Sequence, residues 1–287
     1  MSETWTIRRV LTWTTQHFEK RQVDAPRLTA EILLAHVLKT GRVRLYVDLD
    51  RPLSRDELAS FKALIERRMA GEPTSYLTGT KEFYNRAFKV DARVLIPRPE
   101  TELLVEAVLR AVPRDAPGRV LDVCTGSGCI AISVAAERPQ ATVLATDLSR
   151  DACALARENA QALGVADRVS VLEGDLFAPL PPDATFGVVV SNPPYIDTGD
   201  IAGLSAEVRR EPRLALDGGP DGLAALRRVI QGARRVLEPG GLLALEMGET
   251  QGSAVLELLR AAGYADARVE KDLERRERMA FGTQPAA

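Results

Sequence analysis

The sequence predicts an α/β fold: a doubly wound, mostly parallel seven-stranded sheet joined to a small N-terminal helical domain. Three observations predict it. Short apolar runs at 120–123, 142–145, 169–172, 186–190 and 242–247 alternate with helical patterns at 129–138, 149–162 and 223–237, the rhythm of a parallel sheet covered on both faces. Two tail runs, 267–271 and 278–282, follow a helix at 253–262 and add an antiparallel edge pair. Residues 1 to about 72 carry helical periodicity with no strand pattern among them.

In chain order, the first part places Leu28, Ile32, Leu33, Val37 and Leu38 on one stripe, and Leu58, Phe61, Leu64, Ile65 and Met69 on another. Ser54-Arg55-Asp56-Glu57 is a capping box that opens the second of these helices, and Gly71 followed by Pro73 closes it. This gives a helical domain over 1–72, whose role is either packing or the holding of a partner. Residues 73–99 read as a connector with a β-hairpin, because Phe83, Phe88, Val90, Val94 and Ile96 alternate with polar residues before Pro97-Arg98-Pro99-Glu100. The remainder, 100–287, opens with an amphipathic helix at 100–112 through Leu103, Leu104, Val108 and Leu109 and contains the sheet.

Composition narrows the function. A net charge of −2 and a pI near 5.9 create no field that would draw the chain to a nucleic-acid backbone, so nucleic acid is not the expected partner. Cys124, Cys129 and Cys153 match neither a disulfide framework nor a zinc site, and His17 and His36 lie far from them, so no metal is expected. No apolar run reaches membrane-spanning length and the N-terminus lacks a signal-peptide pattern; a soluble, cytoplasmic protein is the expectation.

The chemistry concentrates at strand ends, where open α/β sheets hold ligands. The first run ends in Asp122-Val123-Cys124-Thr125-Gly126-Ser127-Gly128 and passes straight into a helix, placing glycines where a ligand must approach backbone N–H groups. Neither the full G-x-G-x-x-G pattern nor a phosphate-binding Lys is present, which weakens a pyrophosphate reading. Asp147 ends the second run, where such folds grip a ribose, and Gly174-Asp175-Leu176-Phe177 follows the third with an acid and an aromatic to border an adenine. Each acid alone serves equally as a helix cap or a solvated loop residue.

Asn192-Pro193-Pro194-Tyr195 follows the fourth run and suits the alkylation of a planar, poorly nucleophilic nitrogen. The Asn192 carbonyl accepts one N–H of an NH2 group and a main-chain carbonyl beside it accepts the other, which turns the lone pair toward an electrophile. Pro193 and Pro194 donate no hydrogen bond and stiffen the turn, and Tyr195 offers a flat face to a flat group. Alone, the tetrapeptide is also an ordinary strand-ending turn.

Together, the glycine loop, Asp147, Asp175 and Asn192 to Tyr195 resemble a class I, Rossmann-like S-adenosylmethionine-dependent methyltransferase of the amino-methylating kind. Leu95-Ile96-Pro97-Arg98-Pro99-Glu100-Thr101-Glu102, Glu211-Pro212 with Ala215-Leu216, Gly218-Gly219-Pro220-Asp221-Gly222-Leu223, the helix Ala30 to Leu38 and Glu277-Arg278 extend the match over essentially the whole chain. They resemble the peptide chain release factor N5-glutamine methyltransferases, the PrmC or HemK family. The resemblance implies methyl transfer from S-adenosyl-L-methionine to the amide nitrogen of the glutamine in the Gly-Gly-Gln motif of class 1 release factors, a modification that modulates translation termination.

On that resemblance, 100–287 is the cofactor-binding domain and 1–72 recognises the protein substrate. Cys124, Thr125, Gly126, Ser127, Gly128, Asp147, Asp175, Leu176 and Asn192 fall at the cofactor, Asn192 to Tyr195 at the substrate, and Asn192, Pro193 and Tyr195 at the reacting atoms. Cys124 stands where the family usually has Gly; if the position requires positive φ, Cys is strained there by about 1 kcal/mol or more, so either the backbone is ordinary at Cys124 or cofactor affinity is reduced. Arg98 and Glu100 either cover the cofactor, orient the connector or form a salt bridge at the helix entry. The segment 196–221 exceeds ordinary connection lengths and is expected to border the entry channel for the glutamine.

The sulfonium of the donor makes its methyl group electrophilic, so the protein mainly aligns donor, methyl and nitrogen, a contribution of roughly 7 to 11 kcal/mol. No general base is assigned, because the methylated nitrogen sheds its proton after transfer. Three other readings remain at this point. A base-amine methyltransferase makes the same demand on Asn192 but needs base extrusion. The related ribosomal-protein glutamine methyltransferase is disfavoured by Ile96 to Glu102, and a non-catalytic cofactor-binding regulator by the intact Asn192 to Tyr195.

Overall fold

The structure, a computed structural model, describes residues 4–286. The chain divides into two compact units, Met1–Thr80 with Ser205–Arg210, and Lys81–Leu204 with Glu211–Ala287.

The first unit holds five helices, α1 (Ile7–Lys20), α2 (Pro26–Val37), α3 (Arg42–Val47), α4 (Arg55–Met69) and α5 (Thr74–Thr78). Thr6 caps α1, and the Ser54/Glu57 capping box forms in both directions at α4. Ile7, Leu11, Phe18, Leu33, Leu34, Phe61 and Ile65 fill the core. The stripe expected on α2 is displaced: Ala30, Leu33 and Leu34 are buried while Leu28 is 39% exposed. The physical reason is that α2 packs against α1, α4 and α5 at once, which buries a broad face and leaves its first turn outside. Glu31 is also buried on α2, where its carboxylate accepts from Arg27, Arg42 and the Tyr46 hydroxyl. Ser205–Arg210 belongs to this unit: Glu207 pairs with the buried Arg68, and Arg210 donates to the Ala70 carbonyl at 2.8 Å.

In the second unit, the short hairpin β1 (Thr80–Phe83) and β2 (Arg86–Lys89) turns at Tyr84 and Asn85, both at positive φ as a two-residue hairpin of this hand requires. After α6 (Thr101–Ala111) come β3 (Gly118–Val123), α7 (Cys129–Glu137), β4 (Ala141–Asp147), α8 (Arg150–Ala162), β5 (Val169–Glu173) and β6 (Phe186–Ser191). Then follow α9 (Ala224–Ala233), β7 (Leu237–Glu246), α10 (Gly252–Ala261), β8 (Ala265–Lys271) and β9 (Glu277–Thr283).

The seven strands lie in the order β5-β4-β3-β6-β7-β9-β8, with β3 to β7 parallel and β9 antiparallel to both neighbours. Alternate residues of each strand feed two cores. Val120, Val188 and Val190 pack with α6, α7 and α8; Leu121, Val189 and Leu243 pack with α9 and α10. The helix expected over 223–237 ends at Ala233, because Leu237 already pairs with Phe186. A shift of register then brings Leu242 opposite Val188.

Candidate active site

β3 has β4 on one side and β6 on the other, so the crossovers reverse direction there and leave a crevice beyond the strands' C-terminal ends. A cavity of about 390 Å³ occupies it, within the usual range for a small-molecule site.

The loop after β3 forms its floor. Gly126 has φ +55 with open space where a Cβ would stand, so its backbone faces the cavity. Cys124 has φ +61, the strained conformation that its side chain disfavours. Asp147, at the end of β4, accepts from the N–H groups of Gly126 at 2.8 Å and Ser149 at 2.9 Å, one on each oxygen. The carboxylate therefore clamps the loop from below, and each oxygen keeps lone-pair capacity toward the cavity. Burial raises its pKa, opposed by those backbone donors.

Asp122 lies one layer deeper and is fully buried. One of its oxygens accepts from the Thr125 hydroxyl at 2.6 Å and the Ala131 N–H at 3.2 Å, while the other has no partner. Burial pushes its pKa up to about 7.

Of the residues expected at the cofactor, Cys124, Thr125, Gly126, Ser127, Asp147, Asp175, Leu176 and Asn192 line this cavity. Gly128 does not, since it turns the chain into α7 so tightly against Ile132 and Ala156 that a Cβ would lie 2.9 Å from the Ile132 side chain. Phe177 does not border the cavity either. Its ring packs across Gly232 of α9, and Leu176, at φ +50, takes the lining position. Asp175 lies near the rim, where it accepts from Arg228 at 2.6 Å.

At the end of β6, the Ser191 hydroxyl donates to the Val123 carbonyl at 2.6 Å and ties the Asn192 turn to β3. Asn192 and Pro194 line the cavity; Pro193 is buried, and Tyr195 points away from it with its hydroxyl 3.4 Å from Glu246. The expectation of a tyrosine face along the cavity wall is therefore not met in this geometry, because the phenol reaches to Glu246 instead. Asn192 Nδ2 lies 3.2 Å from Thr101 Oγ1, and the Thr101 hydroxyl donates to Glu246 at 2.6 Å.

Beneath the turn, Gly218 and Gly222 pack without room for side chains: a Cβ on Gly222 would meet the Tyr195 carbonyl at 2.5 Å. Gln251 Nε2 donates to that carbonyl at 2.9 Å. Residues of 93–98 and 212–219 also line the cavity, fastened where Glu211 accepts from the Ile96 N–H at 2.9 Å and from Arg98 at 2.6 Å, and Thr101 lines it beside Asn192. Arg98 thus both pairs and lines the cavity, whereas Glu100 sits 3.6 Å from Arg276.

Sequence reading assigned no role to Thr101 and Glu211, although both lie in motifs that carried the resemblance, and it did not single out Glu246 or Gln251. Glu246 left one trace, a carboxylate inside the apolar run 242–247, where a buried charge requires partners.

The strand order, the crevice at the reversal and the glycine loop under an acid-ended second strand define a class I methyltransferase fold. A solved methyltransferase from Pyrococcus furiosus shares it with a TM-score of 0.52 at 17% identity, over 69% of this chain and 88% of that one. The model of the PrmC N-terminal domain matches residues 9–79, and that of the methyltransferase small domain matches 99–208. The release factor glutamine methyltransferase of Moorella thermoacetica is 47% identical over 274 residues, 95% of this chain and 96% of the relative. That of Geobacter sulfurreducens is 45% identical over 271 residues, 94% of each. The chain belongs to the release factor glutamine methyltransferase family.

Proposed function

We propose that this protein transfers a methyl group from S-adenosyl-L-methionine to the side-chain amide nitrogen of the glutamine in the Gly-Gly-Gln motif of class 1 release factors, in the cytoplasm. The observation that carries the reading is the polarity at Asn192: its Nδ2 is engaged by Thr101, which leaves the carbonyl oxygen as the acceptor of a side chain that lines the cavity. A glutamine carboxamide offers it an N–H donor, and a main-chain carbonyl of the adjoining prolines takes the second. Tyr195 acts from behind, as support for the turn.

The residues present suit the donor. The open backbone at Gly126 admits close approach, Asp147 has capacity for ribose hydroxyls, and the buried, unpartnered oxygen of Asp122 lies beneath the loop as an unspent acceptor. When bound, the donor supplies an electrophilic methyl on a cationic sulfur. Thr125 to Ser127, Asp147, Asp175 and Leu176 hold and orient it, while Asn192 orients the nitrogen. The helical unit docks the release factor; its exposed Trp13, Val43, Tyr46 and Val47 support this role.

Incubation with isotope-labelled donor and, separately, a class 1 release factor, ribosomal proteins and DNA tests the assignment. Label on the release-factor glutamine is expected. Label on ribosomal protein or DNA, with none on the release factor, would overturn it.

A further inference from the structure

Two buried groups stand next to the Asn192 turn without an assigned part in the reaction. Thr101 and Glu246 are 1% and 2% exposed, and they sit 145 positions apart, at the start of α6 and the end of β7. With Glu246 ionised, their hydrogen bonds have a definite direction. The Glu246 carboxylate accepts from Thr101 on one oxygen, at 2.6 Å, and from Tyr195 on the other, at 3.4 Å. A threonine hydroxyl has one hydrogen, so once it is committed to Glu246, its oxygen presents only lone pairs to Asn192. Only the amide nitrogen of Asn192 can satisfy them. Its carbonyl oxygen is thereby turned away from Thr101, on a side chain that lines the cavity.

We infer that Thr101 and Glu246 are positioning residues that hold the Asn192 carboxamide in the one flip state in which its oxygen accepts from the substrate nitrogen. The inference rests on the reading of Asn192 given above. Without the relay, the two ends of the carboxamide are nearly equal in shape, and rotation by half a turn puts an NH2 group against the NH2 of the substrate. That state repels the substrate amide and leaves the cofactor wall unchanged. The Glu246 carboxylate serves both Thr101 and Tyr195, so a single acid braces the turn at Asn192 and at its far end.

The test compares Thr101→Val, Thr101→Ser and Asn192→Ala in the full chain, with kcat, KM for a release factor and the dissociation constant of the donor measured for each. Thr101→Val keeps the shape and removes the hydroxyl, so kcat should fall roughly tenfold to a hundredfold, the range for lost alignment, while donor affinity stays within about threefold. Thr101→Ser restores the hydroxyl and should recover kcat to within about threefold of the parent. If Thr101→Val turns over at the parent rate while Asn192→Ala does not, the relay is wrong and the reading of Asn192 stands. If Asn192→Ala also turns over at the parent rate, both fall. Loss of donor affinity by tenfold or more in Thr101→Val, or a Thr101→Ser enzyme as slow as Thr101→Val, would assign Thr101 to the cofactor wall or to packing and overturn the inference.

Discussion

On the proposed reading, Asn192 is the residue on which turnover most depends, and its substitution separates binding from reaction. Asn192→Ala should lower kcat by about a hundredfold with donor affinity nearly unchanged, because it leaves a substrate N–H unpaired and loosens attack geometry. Asn192→Asp keeps an acceptor and should retain partial activity; single-turnover assays against titration of the donor measure both. An Asn192→Ala enzyme with parent kcat would return this residue to the role of a turn former. At Cys124 the backbone conformation is at odds with the side chain. Cys124→Gly removes left-handed strain of about 1 to 2 kcal/mol against about 0.4 to 1 kcal/mol of added unfolded-state freedom, so its denaturant midpoint should rise. A lower midpoint would mean that thiol packing outweighs the strain. Much of the site was legible at this scale, since glycines, an acid at a strand end and the Asn-Pro-Pro-Tyr turn each carry chemistry in their own spelling. Thr101 and Glu246 were not, because their meaning lies in a contact that only the strand order creates. Phe177 misled for the opposite reason: an aromatic beside a cofactor loop reads as a ligand wall until α9 supplies a glycine for it to cover.

Among the elements, β7 carries a charge into the core. Burial of Glu246 pushes its pKa from 4.5 up to about 7, against the pull of Thr101 and Arg278. The folded protein therefore holds a proton that the unfolded chain has released across that window. Stability from this group is complete below pH 4.5 and is lost as pH rises through about 7. A shift of this size corresponds to about 3 kcal/mol. Asp122 on β3 works in the same direction, from 3.8 to about 7. Glu246→Gln should flatten the decline of Tm between pH 5 and pH 8 without abolishing it, as Asp122 continues to titrate. An unchanged slope in thermal scans across that range would show that Glu246 ionises as an ordinary surface acid does. The strand and helix succession itself was readable from periodicity, with β7 the exception. Its first residues, Leu237 to Gly241, look like a helix end followed by a turn, and only pairing with Phe186 makes them strand.

For the molecule as a whole, the proposed division of labour makes a kinetic prediction. Trp13 is 48% exposed and stacks on His17 in the first unit. If this unit docks the protein substrate, Trp13→Ala should raise KM for an intact release factor roughly fivefold or more, the scale of an interface aromatic, and leave donor affinity unchanged. Equal KM values in steady-state assays would reduce the helical unit to a stabilising cap. The sheet order also bears on how the protein is made. β3 and β6 lie side by side, yet the chain completes β4 and β5 before it returns to pair them. The floor of the cavity and the Asn192 turn therefore come into existence in one non-local event, which topology makes slow relative to local helix formation. Donor binding reports on that event alone, so donor added during refolding should stabilise only the finished sheet and leave any earlier, half-wound species without a ligand.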